Sequence, residues 1–265
     1  MKKYSLIICI AVLFTFSIIS GCAPASQNDD DTLYQVSTLN ALMLGSYDGF
    51  VTVDELLQNG DTGLGTFDTL DGEMIVLNGT VYQAKADGSV AKPDGSMKVP
   101  FAAVTRFNGD VSITLKNIGD IEALKSALSQ AITANTNLFY MATVSGDFDM
   151  MHVRSVSAQS KPYKPLSEVT ESQKEYEYKN ISGTLVALYC PDYVSGINLS
   201  GWHIHFISSD GTKGGHVLDA AFTSAEAQID TTNTYKLVMP ETSEFAKLEL
   251  AADMQSATTK AESKK

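Results

Sequence analysis

The sequence is poor in cysteine, tryptophan and histidine, which limits how the protein can be stabilised and what chemistry it can carry. Its 265 residues include three cysteines, one tryptophan and four histidines. Cys9 and Cys22 both lie in the N-terminal segment, which leaves Cys190 alone in the body of the chain. A fold held together by disulfides is therefore excluded, and we expect stability to come from a hydrophobic core.

Basic side chains are also scarce: 19 lysines and arginines stand against 31 aspartates and glutamates, a net charge of −12. No run of basic residues with interleaved aromatic residues interrupts this pattern. Nucleic-acid binding relies on clustered lysine and arginine side chains that neutralise phosphates. The sequence therefore predicts no nucleic-acid partner.

The N-terminus has the pattern of an export signal. Two lysines precede an apolar run over 6–19, which is too short for a comfortable membrane span. The small residues directly before Cys22 resemble a lipoprotein signal. We expect residues 1–21 to be removed, Cys22 to carry lipid, and residues 22–32 to form a flexible tether. The mature protein would then be exported and lipid-anchored on the outer face of the bacterial cytoplasmic membrane. An ordinary signal peptide, with Cys22 unmodified, would instead make it secreted.

In the rest of the chain, strand patterns and turn signals alternate with few helical stretches. This predicts an α+β fold with mixed or antiparallel sheets. The proline-rich stretch from Lys161 to Pro165 breaks the pattern, so we expect two domains, over 33–160 and 161–250. A C-terminal tail follows over 251–265, and its small, polar composition is typical of a disordered terminus.

Local signals place several elements. The Asn78-Gly79 pair predicts a tight hairpin, and Asp120 is a predicted cap for a helix that begins at Ile121. Gly146-Asp147 is expected to break the strand pattern that ends at Val156. Further helices are expected over 34–44, 52–57, 166–174 and 244–250.

Three of the four histidines, His203, His205 and His216, lie within a short stretch. Alternation along a strand puts His203 and His205 on one face, with Trp202 on the other. Asp210-Gly211 predicts a type I′ turn, which needs positive φ at both residues and would pair His205 with His216. Opposed residues share a face, with Cβ atoms roughly 4.5–5.5 Å apart. The three imidazoles should therefore converge on a β-hairpin of the C-terminal domain.

This convergence favours a metal site. Neutral imidazole is a common ligand for zinc and other late first-row ions. Three nitrogens with an open position suit a catalytic ion better than a structural one, which usually has four protein ligands. Buried histidines can also hydrogen-bond to one another without a metal. Arg154, on the strand that ends at Val156, is either an exposed charge or a guanidinium that binds a carboxylate.

Seven uncommon segments follow one another in a fixed order along the chain. They are 33–38, 44–49, 63–68, 70–73, 99–102, 201–206 and 215–219. Together they resemble the α-acetolactate decarboxylase family, over nearly the whole mature sequence. The resemblance implies a zinc ion held by His203, His205 and His216. It also implies a two-domain α+β arrangement that pairs into homodimers.

The resemblance also implies roles for five other residues. Glu73 and Arg154 match catalytic positions, and Arg154 would also bind the substrate. Thr66 and Leu70 match positions that line the substrate pocket. Glu262 corresponds to a glutamate in a C-terminal tail that folds back over the metal. This expectation conflicts with the disorder that the composition of the tail predicts.

The implied reaction is decarboxylation of 2-acetolactate (2-hydroxy-2-methyl-3-oxobutanoate) to acetoin, in acetoin and butanediol biosynthesis. Loss of CO₂ from this acid leaves an enediolate, and no pyridoxal or thiamine signature is visible. A Lewis acid that chelates the ketone and hydroxyl oxygens can stabilise the developing charge. Two other functions stay open at this point. One is a cupin-like metalloenzyme, either an oxygenase or an isomerase; the other is a non-catalytic, lipid-anchored metal-binding module.

Overall fold

The computed structural model describes residues 31–262 of the chain. The predicted signal segment, Cys22 and all but the last two residues of the predicted tether lie outside the described residues. The same is true of the last three residues. Within residues 31–262, no helix is long and apolar enough to cross a membrane.

Strands dominate the described part of the chain, and the helices are short. The α-helices are α1 (Leu39–Met43), α2 (Val53–Leu57), α3 (Ile121–Ala131), α4 (Leu166–Val169) and α5 (Gln255–Glu262). The strands are β1 (Thr32–Val36), β2 (Val51–Thr52), β3 (Thr62–Thr66), β4 (Glu73–Leu77), β5 (Thr80–Ala84), β6 (Val90–Ala91), β7 (Lys98–Val99), β8 (Phe101–Thr105), β9 (Val111–Ile118), β10 (Phe139–Ser155), β11 (Lys174–Cys190), β12 (Gly201–Ser208), β13 (Gly214–Thr232) and β14 (Thr234–Val238).

The larger sheet has seven strands in the order β14-β1-β8-β3-β4-β5-β6. β1 runs parallel to β14, and the remaining pairs are antiparallel. β4 and β5 are joined at Asn78-Gly79, where both residues have the positive φ of a type I′ turn, 50° and 73°. This hairpin is confirmed, and it fixes the position of β4, which begins at Glu73.

The second sheet has five strands in the order β10-β11-β12-β13-β9, and β10 also pairs with β13. The strands from β10 to β13 therefore close on one another around an apolar core. Phe148 lies in this core in edge-on contact with Phe206 and Phe222, with ring centroids 5.5 and 5.3 Å apart. Leu124 and Leu128 of α3 pack against the same core.

A second apolar layer lies between the two sheets. Leu64 and Ile75 of the larger sheet meet Val186 and Ile207 of the smaller one in this layer. Because side chains alternate along β12, Trp202 and its same-face neighbours enter the closed core. The histidines of β12 therefore face the larger sheet, and the boundary between the sheets is where the site lies.

The predicted α+β fold with mixed sheets and few helices is confirmed. The caps are also confirmed: Thr52 and Glu55 form a reciprocal capping box on α2, and Asp120 accepts from the Ala123 N–H at the start of α3. The helix predicted over 34–44 is wrong in its first half, because β1 occupies Thr32–Val36. β1 lies between β14 and β8 and is largely buried, so its sequence lacks the alternation of a half-exposed strand.

Two other predicted helices differ from the structure. The α-helix predicted over 244–250 is wrong, because this stretch contains only a 3₁₀ turn at Phe245–Lys247. The helix over 166–174 is reduced to α4 and a 3₁₀ turn at Thr170–Ser172.

The predicted boundary at residue 161 does not separate the sheets. β9 and β10 precede it, yet they belong to the same sheet as β11, β12 and β13. In the same way, β14 follows the boundary but pairs with β1. A division at 161 is wrong as a division between sheets, because long-range strand pairing crosses it in both directions.

Candidate metal centre

The histidines lie on the hairpin formed by β12 and β13. His205 pairs directly with His216, which confirms the register predicted from the sequence. His203 lies two residues before His205 on the same strand and shares its face. The hairpin alone therefore brings three imidazoles together.

The turn that joins these strands differs from the prediction. Gly211 has a positive φ of 68°, but Asp210 does not, so the type I′ turn is wrong. The Asp210 carboxylate accepts hydrogen bonds from the Ser208 hydroxyl and the Thr212 N–H, at 2.6 and 3.0 Å. These bonds hold a longer loop in place while leaving the strand register unchanged.

The three imidazoles form one compact cluster. His203 Nε2 lies 3.1 Å from His216 Nδ1. The ring centroid of His205 lies 4.9 Å from that of His203 and 5.3 Å from that of His216. One nitrogen from each ring lies within 4.8 Å of the others; no other group of histidine, cysteine or carboxylate side chains among residues 31–262 matches this arrangement.

The backbone of β4 sets the orientation of His205. The Met74 carbonyl can only accept, so the His205 Nδ1–H donates to it at 2.8 Å. Nε2 then carries a lone pair, and it is buried without a hydrogen-bond partner. His203 Nδ1 and Glu262 Oε2 are also buried and unpaired. Buried nitrogen and oxygen atoms that lack a hydrogen-bond partner within one histidine–carboxylate cluster are groups that a metal ion would satisfy, so the residues fit zinc or a similar ion.

All three imidazoles are held in their neutral form. Burial, and after it the charge of Arg154, lowers the pKa of His203 to about 3. Burial likewise lowers the pKa of His205 and His216 well below 6.5. Neutral imidazole is the form that binds a metal ion, so the environment favours ligation at neutral pH.

Arg154 connects two carboxylates to this cluster. It lies on β10 opposite His216, and its Nη1 donates to Glu73 Oε1 at 2.6 Å. Its Nη2 lies 3.5 Å from Glu262 Oε1. The second oxygen of Glu73 lies 3.6 Å from His205 Nε2, and that of Glu262 lies 3.4 Å from His216 Nε2. Each carboxylate therefore lies between the guanidinium and an imidazole.

Burial raises the pKa of both carboxyl groups. It raises the pKa of Glu73 to about 7, against the lowering effect of Arg154 and with a further rise from Glu262. It also raises the pKa of Glu262, which Arg154 and Lys125 oppose. The buried cluster thus contains two carboxyl groups and only one guanidinium, so its acidic groups outnumber its cations by one.

The tail that carries Glu262 is ordered through α5. Ala261 is buried, and Met254 and Ala257 pack against the apolar cluster that contains Leu42 and Leu166. The Asn40 side-chain amide donates to the Leu250 carbonyl at 2.8 Å. These contacts offset the entropy of ordering the segment, which its polar composition alone would not. Glu262 therefore lies beside the histidine cluster and Arg154, and the described part of the tail, residues 251–262, is ordered, contrary to the disorder expected from composition.

Truncation after Leu250 should abolish activity while the remaining chain stays folded, because it removes Glu262 and leaves both sheets complete. Glu262→Gln retains α5 and removes only the charge, so it should also lose most activity, with an unchanged circular dichroism spectrum. Activity assays and thermal melts on both variants test this. Wild-type turnover in the truncated protein would contradict a role for the tail.

Thr66 and Leu70 line a small cavity together with Glu73, Arg154 and His203. The Thr66 hydroxyl donates to the Gly72 carbonyl at 2.7 Å. Leu70 is buried and has a positive φ of 63°, an uncommon backbone conformation for leucine. The predicted pocket residues therefore lie beside the histidine cluster. The cavity is completed by apolar side chains: Leu39, Leu42, Phe101, Val156 and Leu166.

Two contributors were not anticipated from the sequence. The Met74 carbonyl orients His205, and a backbone carbonyl leaves no mark in a sequence. Lys125 of α3 acts on the electrostatics of His203 and Glu262. No local pattern in the sequence shows that this helix packs next to the histidine hairpin, so Lys125 could not be assigned to the site. The fourth histidine, His152, lies outside the cluster and pairs with Glu175 at 3.0 Å.

The fold and the site define a class of protein. Three neutral imidazoles, two carboxylates and a guanidinium converge beside a cavity between a mixed seven-stranded sheet and an antiparallel five-stranded sheet. Strongly shifted pKa values beside an open set of metal-binding donors are typical of metal-dependent enzymes.

Comparison with known proteins gives the family. The sequence model of alpha-acetolactate decarboxylase matches residues 33–252. An alpha-acetolactate decarboxylase from Methanosarcina mazei is 41% identical over 237 residues, which cover 89% of this chain and 82% of that protein. One from Brevibacillus brevis is 40% identical over 242 residues, 91% of this chain and 84% of that protein. The crystal structure of the Bacillus subtilis strain 168 enzyme superposes with a TM-score of 0.84 at 31% identity, covering 88% of this chain and all of that one.

The chain belongs to the alpha-acetolactate decarboxylase family and is a decarboxylase, a lyase. The resemblance seen in the sequence is confirmed. Of the three functions that the sequence left open, family membership supports the decarboxylase over a cupin-like oxygenase or isomerase and over a non-catalytic module. The family match ends at residue 252 and so does not extend to Glu262.

Proposed function

We propose that the protein converts 2-acetolactate to acetoin and CO₂ in a zinc-dependent reaction. The observation that carries the proposal is the convergence of His203, His205 and His216 with Glu73 and Arg154 in one cluster beside the inner cavity. A carboxylate substrate needs a cation for binding, a site for the charge that develops as CO₂ leaves, and a source of protons. The cavity offers a group for each of these needs.

The zinc ion would be held by His203, His205 and His216 at the hairpin formed by β12 and β13. Their neutral state and the unpaired His205 Nε2 support this assignment. When bound, zinc supplies a Lewis acid for the negative charge that develops on the substrate oxygens. The residues around it determine how the substrate is oriented.

Arg154 would bind the substrate carboxylate. Two of its nitrogens are engaged by Glu73 and Glu262, while its Nε is buried and has no partner. A buried guanidinium N–H without an acceptor is costly, so an incoming carboxylate oxygen would be favoured there. Breaking the bond to the carboxylate then releases CO₂ and leaves its electron pair on the substrate.

Glu73 would take part in the protonation that completes the reaction. That step adds one proton to the carbon that carried the carboxylate, which gives acetoin. Glu73 lines the cavity, is 5% exposed, and lies between Arg154 and His205. Thr66 and Leu70 would shape the apolar wall on which the methyl groups rest, and Glu262 would enclose the site from the side of α5.

Incubation of the purified mature chain with racemic acetolactate tests the proposal. We expect acetoin and CO₂ in equal amounts without oxygen uptake. Oxygen consumption, or a product other than acetoin, would contradict it. A cupin-like oxygenase is distinguished by the same measurement.

We also propose that Cys22 carries lipid and holds the exported protein on the outer face of the membrane. Stable anchoring generally takes more than one acyl chain, which lipoprotein maturation supplies. Intact-mass analysis of the protein from membranes should give a chain that begins at Cys22 with acyl groups attached. An unmodified N-terminus, or cleavage at another position, would contradict lipidation and favour a secreted form.

The homodimer implied by the resemblance is a further proposal. Sedimentation of the mature protein should give twice the mass of one chain. A single-chain mass over the working concentration range would contradict it.

A further inference from the structure

Of the charged and imidazole side chains around the metal centre, Glu262 is the most exposed to solvent. Glu262 lines the inner cavity with Thr66 and Arg154, and it also lines an outer cleft with Lys125 and Trp202. Its side chain is 15% exposed, against 5% for Arg154. Glu262 therefore lies where the inner cavity and the outer cleft meet, which makes the cleft a route from solvent to the site.

Lys125 presents a positive charge to this approach. It lies on α3, whose buried face is fixed by Leu124 and Leu128, and its side chain is 38% exposed. Its nearest ionic partner is Glu122, 3.4 Å away and 79% exposed, so this pair is weak. A half-exposed ammonium with a weak partner is available to an anion in the cleft.

Two basic side chains lie along this route: Arg154 lines the inner cavity and Lys125 lines the outer cleft. Arg154 is buried and already engaged by carboxylates. Lys125 is the one of the two that an approaching anion reaches first.

Two of the four carboxylates that line the cleft are partly neutralised. Asp120 and Asp219 both serve the N-terminus of α3, where their carboxylates accept from the Ala123 N–H at 2.8 Å and the Ile121 N–H at 2.9 Å. Backbone N–H groups at a helix N-terminus stabilise negative charge there. Their fields toward the site are weakened, whereas among residues 31–262 the ammonium of Lys125 is paired with the Glu122 side chain and with no backbone group.

We propose that Lys125 is the cation that draws the substrate carboxylate through the outer cleft to the site. The proposal rests on the proposed function, because acetolactate is an anion. A protein with a net charge of −12 repels anions at long range, and a local cation at the approach offsets part of this repulsion. Lys125 would act on capture of the substrate, and Arg154 on its final orientation.

A charge series at position 125 tests the proposal. At about 20 mM ionic strength we expect Lys125→Gln to lower kcat/KM about fivefold and Lys125→Glu about 25-fold, with kcat nearly unchanged. Lys125→Arg should retain wild-type values, and Glu122→Gln should raise kcat/KM. These differences should largely disappear at about 500 mM salt, because the interaction is screened. Lys116→Gln, on β9 outside the cleft, is the matched control and should have no effect.

Binding gives a readout that is independent of turnover. Trp202 is the only tryptophan of the sequence, and its indole is buried in the closed core directly behind the wall of the outer cleft, so its fluorescence responds to charge that enters the cleft. Titration with 2-hydroxy-2-methylpropanoate, which has no ketone to react, should give a Kd that rises in Lys125→Gln and rises further in Lys125→Glu.

Three results would overturn the inference. They are unchanged kcat/KM and Kd in Lys125→Glu at low salt, an effect that salt does not reduce, or a loss in Lys125→Arg equal to that in Lys125→Gln. Absence of wild-type turnover would instead overturn the proposed function. In that event the fluorescence titration still decides whether Lys125 attracts carboxylates.

Discussion

His203→Ala should lose its bound metal and at least about a thousandfold in turnover, because two imidazoles remain where three are needed to hold the ion. The fold should survive. His203 contributes to the site rather than to either apolar core, and its neighbour Trp202 still fills the closed core of the smaller sheet. Metal content by elemental analysis, acetoin formation and circular dichroism test the three parts of this expectation.

The fourth histidine provides a matched control. His152 lies on β10 and pairs with Glu175 away from the cluster, so His152→Ala should retain both metal and turnover. Stoichiometric metal and normal turnover in His203→Ala would mean that the hairpin is not the metal site. Equal loss in both variants would point to a general structural effect instead.

Arg154→Lys should lower kcat/KM about 10²- to 10³-fold with the metal content unchanged. Lysine retains the positive charge but lacks the planar fork of donors, so it cannot engage Glu73 and Glu262 and still present a directed N–H to the substrate. The imidazoles do not depend on the fork for their position, because His205 is oriented by the Met74 carbonyl.

Steady-state kinetics and metal analysis on the same preparation separate these effects. Loss of metal together with activity would assign Arg154 to the architecture of the centre. Wild-type kinetics would remove it from substrate binding altogether.

The parts of the fold that the sequence predicted correctly are those with a local physical cause. Asn78-Gly79 formed the expected turn because both residues tolerate positive φ. The helix after Asp120 begins where its side chain can accept from the Ala123 N–H, one of the free amides of the first turn. These signals need no knowledge of the remaining chain.

Errors arose where distant strands decide the structure. Gly146 was expected to break a strand, yet β10 is continuous from Phe139 to Ser155. A Cβ at Gly146 would lie 2.9 Å from the Cβ of Ala225 on β13, so glycine allows two paired strands to approach closely. The burial that hides the alternation of β1 also comes from neighbours distant in sequence.

In the candidate site, too, the contacts with a local cause were predictable and those between distant segments were not. The convergence of His205 and His216 follows from strand alternation and hairpin register, and it was predicted from the residues alone. Arg154 meets Glu73 and Glu262 across 81 and 108 positions, and no local pattern indicates such contacts. Only the family resemblance pointed to the two glutamates. The same limit applies to Lys125, which reaches the site through the packing of α3.

The central claim is that the three-histidine hairpin holds zinc and that this ion supports decarboxylation of acetolactate. Acetoin formation by the purified mature chain, followed before and after treatment with a chelator, tests it most directly. We expect chelation to abolish acetoin formation and about one zinc ion per chain to restore it. Full acetoin formation by a chain shown to contain no metal would contradict the account.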